Sequence, residues 1–180
     1  NSCNRELGAH DLIPVVSWLV SGGRCFTCKS RVPIGYMVLE ATLGGVFALT
    51  YLMLGFSLAL LVAYAFLSVL AFIVVYDLRH TIVPPQASLL LSVLGLAFAF
   101  LSESDIISFG GVLFTAGVIG GAFVLLHVCS KGRAMGLGDA PVAFALALFV
   151  GSGAVTGLLF SFCIGAPCGV AILFMQRGGP

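Results

Sequence analysis

Long hydrophobic stretches with almost no charge constrain the fold of this 180-residue chain more than any other feature. One membrane crossing needs about 20 apolar residues, so each stretch is long enough for one or two transmembrane helices. A composition of 60% hydrophobic and 8% charged residues is far from that of soluble proteins. The sequence therefore predicts an integral membrane protein. The four stretches lie between Glu40 and Asp77, between His80 and Glu103, between Asp105 and His127, and from Ala140 to Gln176.

Glycines divide the two longest stretches, at Gly55 and at Gly151 and Gly153, which gives six predicted helices. The predicted fold is all-α, a polytopic transmembrane helix bundle of about six spans. Residues 1–35 form a short cytoplasmic loop that contains cysteines, and residues 36–180 form the membrane domain. The predicted helices cover residues 36–55, 58–77, 84–102, 107–130, 138–151 and 154–176.

The basic residues predict the orientation of the bundle, because Lys and Arg near span ends accumulate on the cytoplasmic side. With six crossings, all eight basic residues fall on one face and both chain ends are cytoplasmic. Only Glu103 and Asp105 occupy the middle loop of the other face, and nothing indicates nucleic-acid binding. The basic residues are Arg5, Arg24, Lys29, Arg31, Arg79, Lys131, Arg133 and Arg177.

Two aspartates, Asp77 and Asp139, lie at edges of these hydrophobic stretches, where an ionised carboxylate is costly and usually functional. In the predicted topology, Asp77 ends a helix that reaches the cytoplasmic face and Asp139 begins one that leaves it. Neighbouring carboxylates cannot both ionise cheaply, so one acts as an acid and the other as a base that activates water. The pair predicts an aspartyl protease dyad. The alternative is two solvated interfacial carboxylates, with Asp139 as a helix N-cap.

Glycines and prolines border both aspartates. Gly136 and Gly138 precede Asp139, and we expect them to form an active-site loop. Its backbone should adopt conformations that other residues cannot, and should let a substrate strand approach closely. Pro84 and Pro85 interrupt the chain after Asp77. Irregular backbone at membrane depth is tolerated where it is buried or lines a wet cavity, so both carboxylates should border such a cavity.

Small residues recur every four positions in the last predicted helix, a spacing that lets helix backbones approach closely in lipid. Gly117 and Gly121 repeat this spacing in the fourth helix. The pattern predicts close packing inside the bundle, with a homodimer contact as the alternative. The residues of the last helix are Gly153, Gly157, Ser161, Gly165 and Gly169.

Cys25 and Cys28 have the spacing of a zinc knuckle in a basic loop, and Cys3 could supply a third thiolate. A fourth ligand is absent from the chain. The alternative is a loop with three reduced thiols in the cytosol, where disulfides are rare. The remaining cysteines lie in apolar helices and are predicted to pack in the core as small hydrophobes, while the three histidines receive no catalytic role.

The motif Asp77-Leu-Arg-His-Thr-Ile-Val-Pro, together with Gly136-Leu-Gly-Asp139, resembles the type IV prepilin peptidases, bacterial inner-membrane enzymes of the GxGD aspartyl protease group. The N-terminal part extends the resemblance over almost the whole chain. Its matching segments are Cys3-Asn-Arg-Glu-Leu7, Asp11-Leu-Ile-Pro-Val-Val-Ser-Trp-Leu19, Gly23-Arg-Cys-Phe-Thr-Cys28 and Tyr36-Met-Val-Leu-Glu40.

The resemblance implies a specific activity at a specific place. Such enzymes cut the short basic leader from prepilins and pseudopilins at the cytoplasmic membrane surface, and many then N-methylate the new terminus with S-adenosylmethionine. By motif position, Asp77 and Asp139 are the catalytic pair, and proteolysis needs no cofactor. A basic leader would stay with the cytoplasmic lipid headgroups, next to the predicted dyad.

The sequence also departs from the family pattern. Family members often continue the second motif as Gly-Asp-Val-Lys, whereas Ala140 and Pro141 follow Asp139 here. Pro suits the first turn of a helix, so we interpret this as a subfamily variation. The resemblance further implies a first cysteine before Asn1, an additional amino-terminal span and a further last helix, so we expect the chain to be a fragment.

Two other functions are compatible with these residues. A GxGD peptidase with another substrate, such as the archaeal preflagellin enzymes, is one, although those relatives usually lack the loop of Cys25 and Cys28. A transporter or proton channel that uses Asp77 and Asp139 as a relay is the other, because intramembrane acids also mark ion pathways.

Overall fold

Helices are the main secondary structure of the residues that the computed structural model describes, which are Gly8, Ile13, 15–133 and 135–177. A 3-10 turn at Gly151–Gly153 joins the last two helices, and the only pairing of strand type in these residues is an isolated antiparallel bridge between Arg24 and Arg31. The prediction of an all-α polytopic bundle is confirmed. The helices are α1 (Val16–Ser21), α2 (Ile34–Leu54), α3 (Leu58–His80), α4 (Pro85–Ser102), α5 (Ile106–Cys129), α6 (Asp139–Val150) and α7 (Ala154–Arg177).

All six predicted helices are present as α2 to α7, with ends within three residues of the predicted ones. The number of membrane-spanning stretches differs, because five stretches of the described residues are long and apolar enough to cross a membrane. The difference arises at α6, whose 12 residues extend only about 18 Å and are too short to cross a membrane alone. One apolar stretch, Asp139–Gly165, therefore includes both α6 and the first half of α7. The five stretches are Met37–Leu54, Leu58–His80, Pro85–Ser102, Ile106–Cys129 and Asp139–Gly165.

The chain divides into two compact units, Asn1–Phe56 and Ser57–Pro180. In the first unit the indole N–H of Trp18 donates to the carbonyl of Val32 over 3.2 Å. The backbone N–H of Val15, just before α1, donates to Glu40 Oε2 over 2.9 Å, so the two contacts tie α1 to residues around the start of α2. This unit therefore combines the cysteine loop with α2, and the predicted domain boundary at residue 35 stays a prediction.

In the second unit, α6 packs between α4 and α5, and glycines on both neighbours make this close approach possible. A Cβ atom on Gly95 of α4 would lie 2.9 Å from the carbonyl oxygen of Ala145. A Cβ atom on Gly120 of α5 would lie 3.0 Å from Phe144 Cβ. Apart from Leu148, the buried residues of α6 are alanines, and such small side chains let helices approach closely in lipid. These buried alanines are Ala140, Ala143, Ala145 and Ala147.

The predicted stripe of small residues does not form this contact. A Cβ atom on Gly117, Gly121, Gly157 or Gly165 would meet no described atom within 4 Å. The prediction of close intramolecular packing at these positions was therefore wrong for the described residues. Spacing alone does not reveal which face of a helix meets a neighbour, and the contact with α6 uses Gly95 and Gly120 instead.

The role of Gly95 gives a prediction for stability. We expect Gly95→Ala to lower the free energy of unfolding in detergent by about 1–3 kcal/mol, because the new methyl group would press on the backbone of α6. Gly121→Ala is the matched control, since it adds the same methyl group to open space and improves helix propensity by up to about 1 kcal/mol. Equal unfolding midpoints for the two variants in an SDS titration would contradict this packing.

Candidate active site

Asp77 lies in the last turn of α3, where the helix ends in an unusual backbone conformation. Thr81 caps the helix in the left-handed region with a φ of 54°, and its N–H donates to the Asp77 carbonyl oxygen over 2.7 Å. Three residues later, Pro84 precedes the first residue of α4, Pro85, whose fixed φ suits the start of a helix. The side chain of Asp77 is exposed at this end of the unit.

Asp139 is the first residue of α6, and its half-buried carboxylate bends back over the preceding loop. The Gly136 N–H donates to Asp139 Oδ2 over 3.2 Å, while the Asp139 N–H donates to the Gly136 carbonyl over 3.3 Å. These reciprocal hydrogen bonds close the loop into a tight turn.

Gly138 brings the two motifs into contact. A Cβ atom at this position would lie 3.0 Å from Val83 Cβ, which belongs to the segment between Asp77 and α4. The φ of Gly138 is −65°, and Gly136 is likewise outside the positive-φ region. The expectation of backbone conformations closed to other residues was therefore wrong. At Gly138 the missing side chain serves close approach between the segments that carry the two aspartates.

Aromatic stacking sets the relative level of the two helices. Phe66 of α3 stacks on Phe149 of α6 with ring centroids 4.2 Å apart, and Phe98 of α4 lies 4.4 Å from Phe149. Asp77 follows Phe66 by 11 residues, and Asp139 precedes Phe149 by 10. At the rise of an α-helix these separations are about 16.5 Å and about 15 Å, so the backbones of the two aspartates lie at nearly the same level relative to the stacked rings.

Both aspartates line one cavity of about 530 Å³ between α3, α5, α6 and α7. Apart from these two carboxylates and Ser161, the wall is formed by apolar side chains and one glycine. Gly157 and Ser161 of α7 line the same cavity as Val142 of α6, which places the start of α7 alongside α6. The chain turns between these two helices at Gly151, where φ is 68°.

This arrangement can support acid–base chemistry on a bound polypeptide. Two residues with carboxylate side chains, on separate helices, line one open cavity, which allows one to protonate and the other to deprotonate a reacting group. The apolar wall suits a hydrophobic segment of substrate next to the reacting bond. The structure thus places Asp77 and Asp139 at one cavity, with the Gly136–Gly138 loop directly before Asp139. The catalytic role of these residues stays a prediction.

Two further contacts of this site were not predicted from the sequence. The Ser92 hydroxyl of α4 shares its one hydrogen between the Ser88 carbonyl at 2.9 Å and the Pro141 carbonyl at 3.2 Å, and the second contact links the first turn of α6 to α4. Val83 fills the space above Gly138. Val83 lies inside the first motif and could have been singled out there, whereas nothing in the sequence marks Ser92, because its partner is 49 residues away.

The thiols of Cys25 and Cys28 lie on one tight turn of the first unit. The Cys25 N–H donates to the Ser30 carbonyl over 2.9 Å, and the Lys29 N–H donates to the Cys25 carbonyl over 3.1 Å. The Cys28 thiol lies 3.1 Å from Ser30 Oγ. Cys3 lies outside the described residues, and within the described ones no group of three or more potential metal ligands occurs.

The helical cysteines differ from their prediction. Cys129 on α5 and Cys163 on α7 are exposed at the surface of the described structure rather than packed in its core. The solvent for these helices is lipid, in which a small apolar side chain has no need of burial. Cys168 lies where only the backbone is described.

The fold and the site together define a polytopic helical membrane protein in which two aspartates from different helices share one cavity. The chain belongs to the Type IV leader peptidase family, whose model matches residues 64–170. A second model, the Bacterial Peptidase A24 N-terminal domain, matches residues 1–54. The family predicted from the sequence motifs is confirmed.

Proteins named prepilin leader peptidase/N-methyltransferase are similar to almost the whole chain. The one from Bacillus subtilis (strain 168) is 29% identical over 97% of this chain and 70% of its own length. The one from Myxococcus xanthus (strain DK1622) is 28% identical over 99% of this chain and 54% of its own length, and the one from Aeromonas hydrophila is 30% identical over 97% and 61%. The chain thus spans between about half and 70% of these relatives. No solved structure matches it.

Proposed function

We propose that this protein is a membrane aspartyl endopeptidase that cleaves the leader peptide of type IV prepilins or pseudopilins. The observation that carries the proposal is the shared cavity of Asp77 and Asp139 in a chain of this family. In the reaction, one carboxylate holds a proton and polarises the scissile carbonyl, while the other removes a proton from the attacking water. The acid then protonates the leaving amine, so that peptide hydrolysis is complete without a nucleophilic side chain.

The cavity wall supports this class of substrate. Its carboxylates lie at one end and its remaining surface is mostly apolar, which suits a peptide whose hydrophobic segment follows the scissile bond. Arg79, Lys131 and Arg133 lie in the segments at the carboxylate end, which we assign to the cytoplasmic side of the bacterial inner membrane. A basic leader would remain at the anionic headgroups of that side.

A second activity is part of the proposal. The relatives are named N-methyltransferases as well as peptidases, and we extend this to methylation of the new N-terminus with S-adenosylmethionine. We assign this activity to the first unit, because a separate family model matches it. In that unit, Cys25 and Cys28 would hold a structural zinc ion together with Cys3 and a fourth ligand, and zinc would fix the fold of the loop.

Substitution of either cavity aspartate should abolish cleavage. We expect Asp77→Asn and Asp139→Asn each to lower the rate of leader removal by roughly a thousandfold or more, because the amide can neither hold nor accept the transferred proton. The measurement is cleavage of a prepilin by the purified protein in detergent.

Asp105→Asn is the matched control for this experiment. Asp105 also borders a membrane helix, but its carboxylate caps α5 by accepting a hydrogen bond from the Ser108 N–H, a role that Asn fills equally well. Full activity of either cavity variant would contradict the dyad. No cleavage by the unsubstituted protein, together with proton flux in liposomes that depends on Asp77 and Asp139, would support the relay instead.

Zinc content tests the proposal for the cysteine loop. We expect Cys25→Ser and Cys28→Ser to lower the zinc bound per purified molecule, measured by mass spectrometry of the metal, because each removes one thiolate ligand. Cys129→Ser is the control, since this residue lies on α5 in the other unit. Zinc content that is the same in all three variants and in the unsubstituted protein would exclude this site.

A further inference from the structure

His127, in the last turn of α5, makes a hydrogen bond to the loop that carries the second motif. Its Nδ1 lies 2.8 Å from the carbonyl oxygen of Met135. A carbonyl oxygen can only accept, so the hydrogen atom must be on Nδ1 and the ring donates. The side chain is half-buried, which strengthens the bond relative to one in water. Met135 also lines the cavity of the two aspartates.

This hydrogen bond continues to Asp139 through a single peptide group. The Met135 carbonyl and the Gly136 N–H belong to the same peptide plane, and that N–H donates to Asp139 Oδ2 over 3.2 Å. The imidazole therefore donates to the C=O at one edge of this peptide group, while the carboxylate accepts from the N–H at the opposite edge. Hydrogen bonds in series polarise one another, so His127 makes the Gly136 N–H a better donor to Asp139 Oδ2.

The loop is built around the imidazole ring. Lys131 and Gly132 both have positive φ, at 53° and 74°, and the Gly132 N–H returns to the His127 carbonyl over 2.9 Å. A Cβ atom on Gly132 would lie 3.3 Å from His127 Cε1. The backbone thus turns closely over the ring, which limits its rotation and keeps Nδ1 directed at Met135.

We propose that His127 is a positioning residue for Asp139, acting through the peptide between Met135 and Gly136. By holding this peptide plane, His127 directs the Gly136 N–H at the carboxylate and keeps the carboxylate in one orientation at the cavity. The inference rests on the proposed function, since it assigns Asp139 a reaction for which orientation matters. In this proposal the His127 ring transfers no proton, because its Nδ1 bonds the Met135 carbonyl and acts on Asp139 only through the peptide group.

Three substitutions separate positioning from a general effect on the fold. His127→Ala removes the donor, His127→Asn places an amide N–H close to the location of Nδ1, and His127→Gln places the same amide about one bond further out. We expect His127→Ala to lower kcat for leader cleavage by roughly ten- to a hundredfold with little change in KM, since the cavity wall stays in place. His127→Asn should recover most of that loss, and His127→Gln should recover less.

Hydrogen exchange of the Gly136 amide gives a second measurement that does not depend on activity. In His127→Ala the Gly136 N–H should exchange faster than in the unsubstituted protein, and in His127→Asn the protection should return. Unfolding midpoints of all variants in detergent provide the control for stability. If the unsubstituted protein cleaves no prepilin, the proposed function fails while the exchange data still test the contact.

Two results would overturn the inference. One is a His127→Ala variant with unchanged kcat and unchanged Gly136 exchange. The other is an equal loss of kcat in His127→Ala and His127→Asn at equal stability, which would show that the Nδ1 donor is irrelevant.

Discussion

The close packing of α6 is the physical constraint on which the site depends. This helix is short and bears alanines on its buried face, so its backbone approaches α4 at Gly95 and α5 at Gly120. Directly before it, Gly138 allows Val83 to contact the loop. These contacts fix the position of the first turn of α6, and therefore of Asp139, relative to the segment that follows Asp77.

Two carboxylates in a lipid environment need such a fixed setting, because charge at membrane depth is costly unless it faces a cavity or a partner. Stacking of Phe66 on Phe149 aligns α3 with α6. Both aspartates line the cavity. In the proposed function, this geometry supplies an apolar wall for a hydrophobic substrate segment and an acid–base pair for its scissile bond.

Hydropathy predicted the helices well, because in lipid the length of an apolar stretch largely determines a span. The motifs also predicted that Asp77, Asp139 and the Gly136–Gly138 loop would lie together. Contacts between helices could not be predicted in the same way. The four-residue spacing of small residues predicted helix contacts at Gly117 and Gly121. The contacts with α6 are instead made at Gly95 and Gly120, because only these two of the four glycines face a described residue of a neighbouring helix.

The site contains interactions that no local pattern reveals. Ser92 bonds the first turn of α6 across 49 residues of sequence, and His127 received no catalytic role although it braces the loop before Asp139. Both act on backbone carbonyls, which any residue can offer, so the sequence carries no sign of the pairing. Cys129 and Cys163 are exposed for a related reason, since lipid accepts apolar groups that water would drive into a core.

Cross-linking across the cavity tests the central claim most directly. The test uses an Asp77→Cys/Asp139→Cys variant in which the six native cysteines are replaced by serine and a protease site is inserted between α4 and α5. The protein in membranes is treated with a short bifunctional thiol reagent and is then cut by the protease. The account predicts that the link holds the two fragments together. It also predicts no link in Asp77→Cys/Asp105→Cys, because α4 separates these positions. Failure of the first pair to link, although each cysteine reacts singly, would contradict a shared cavity.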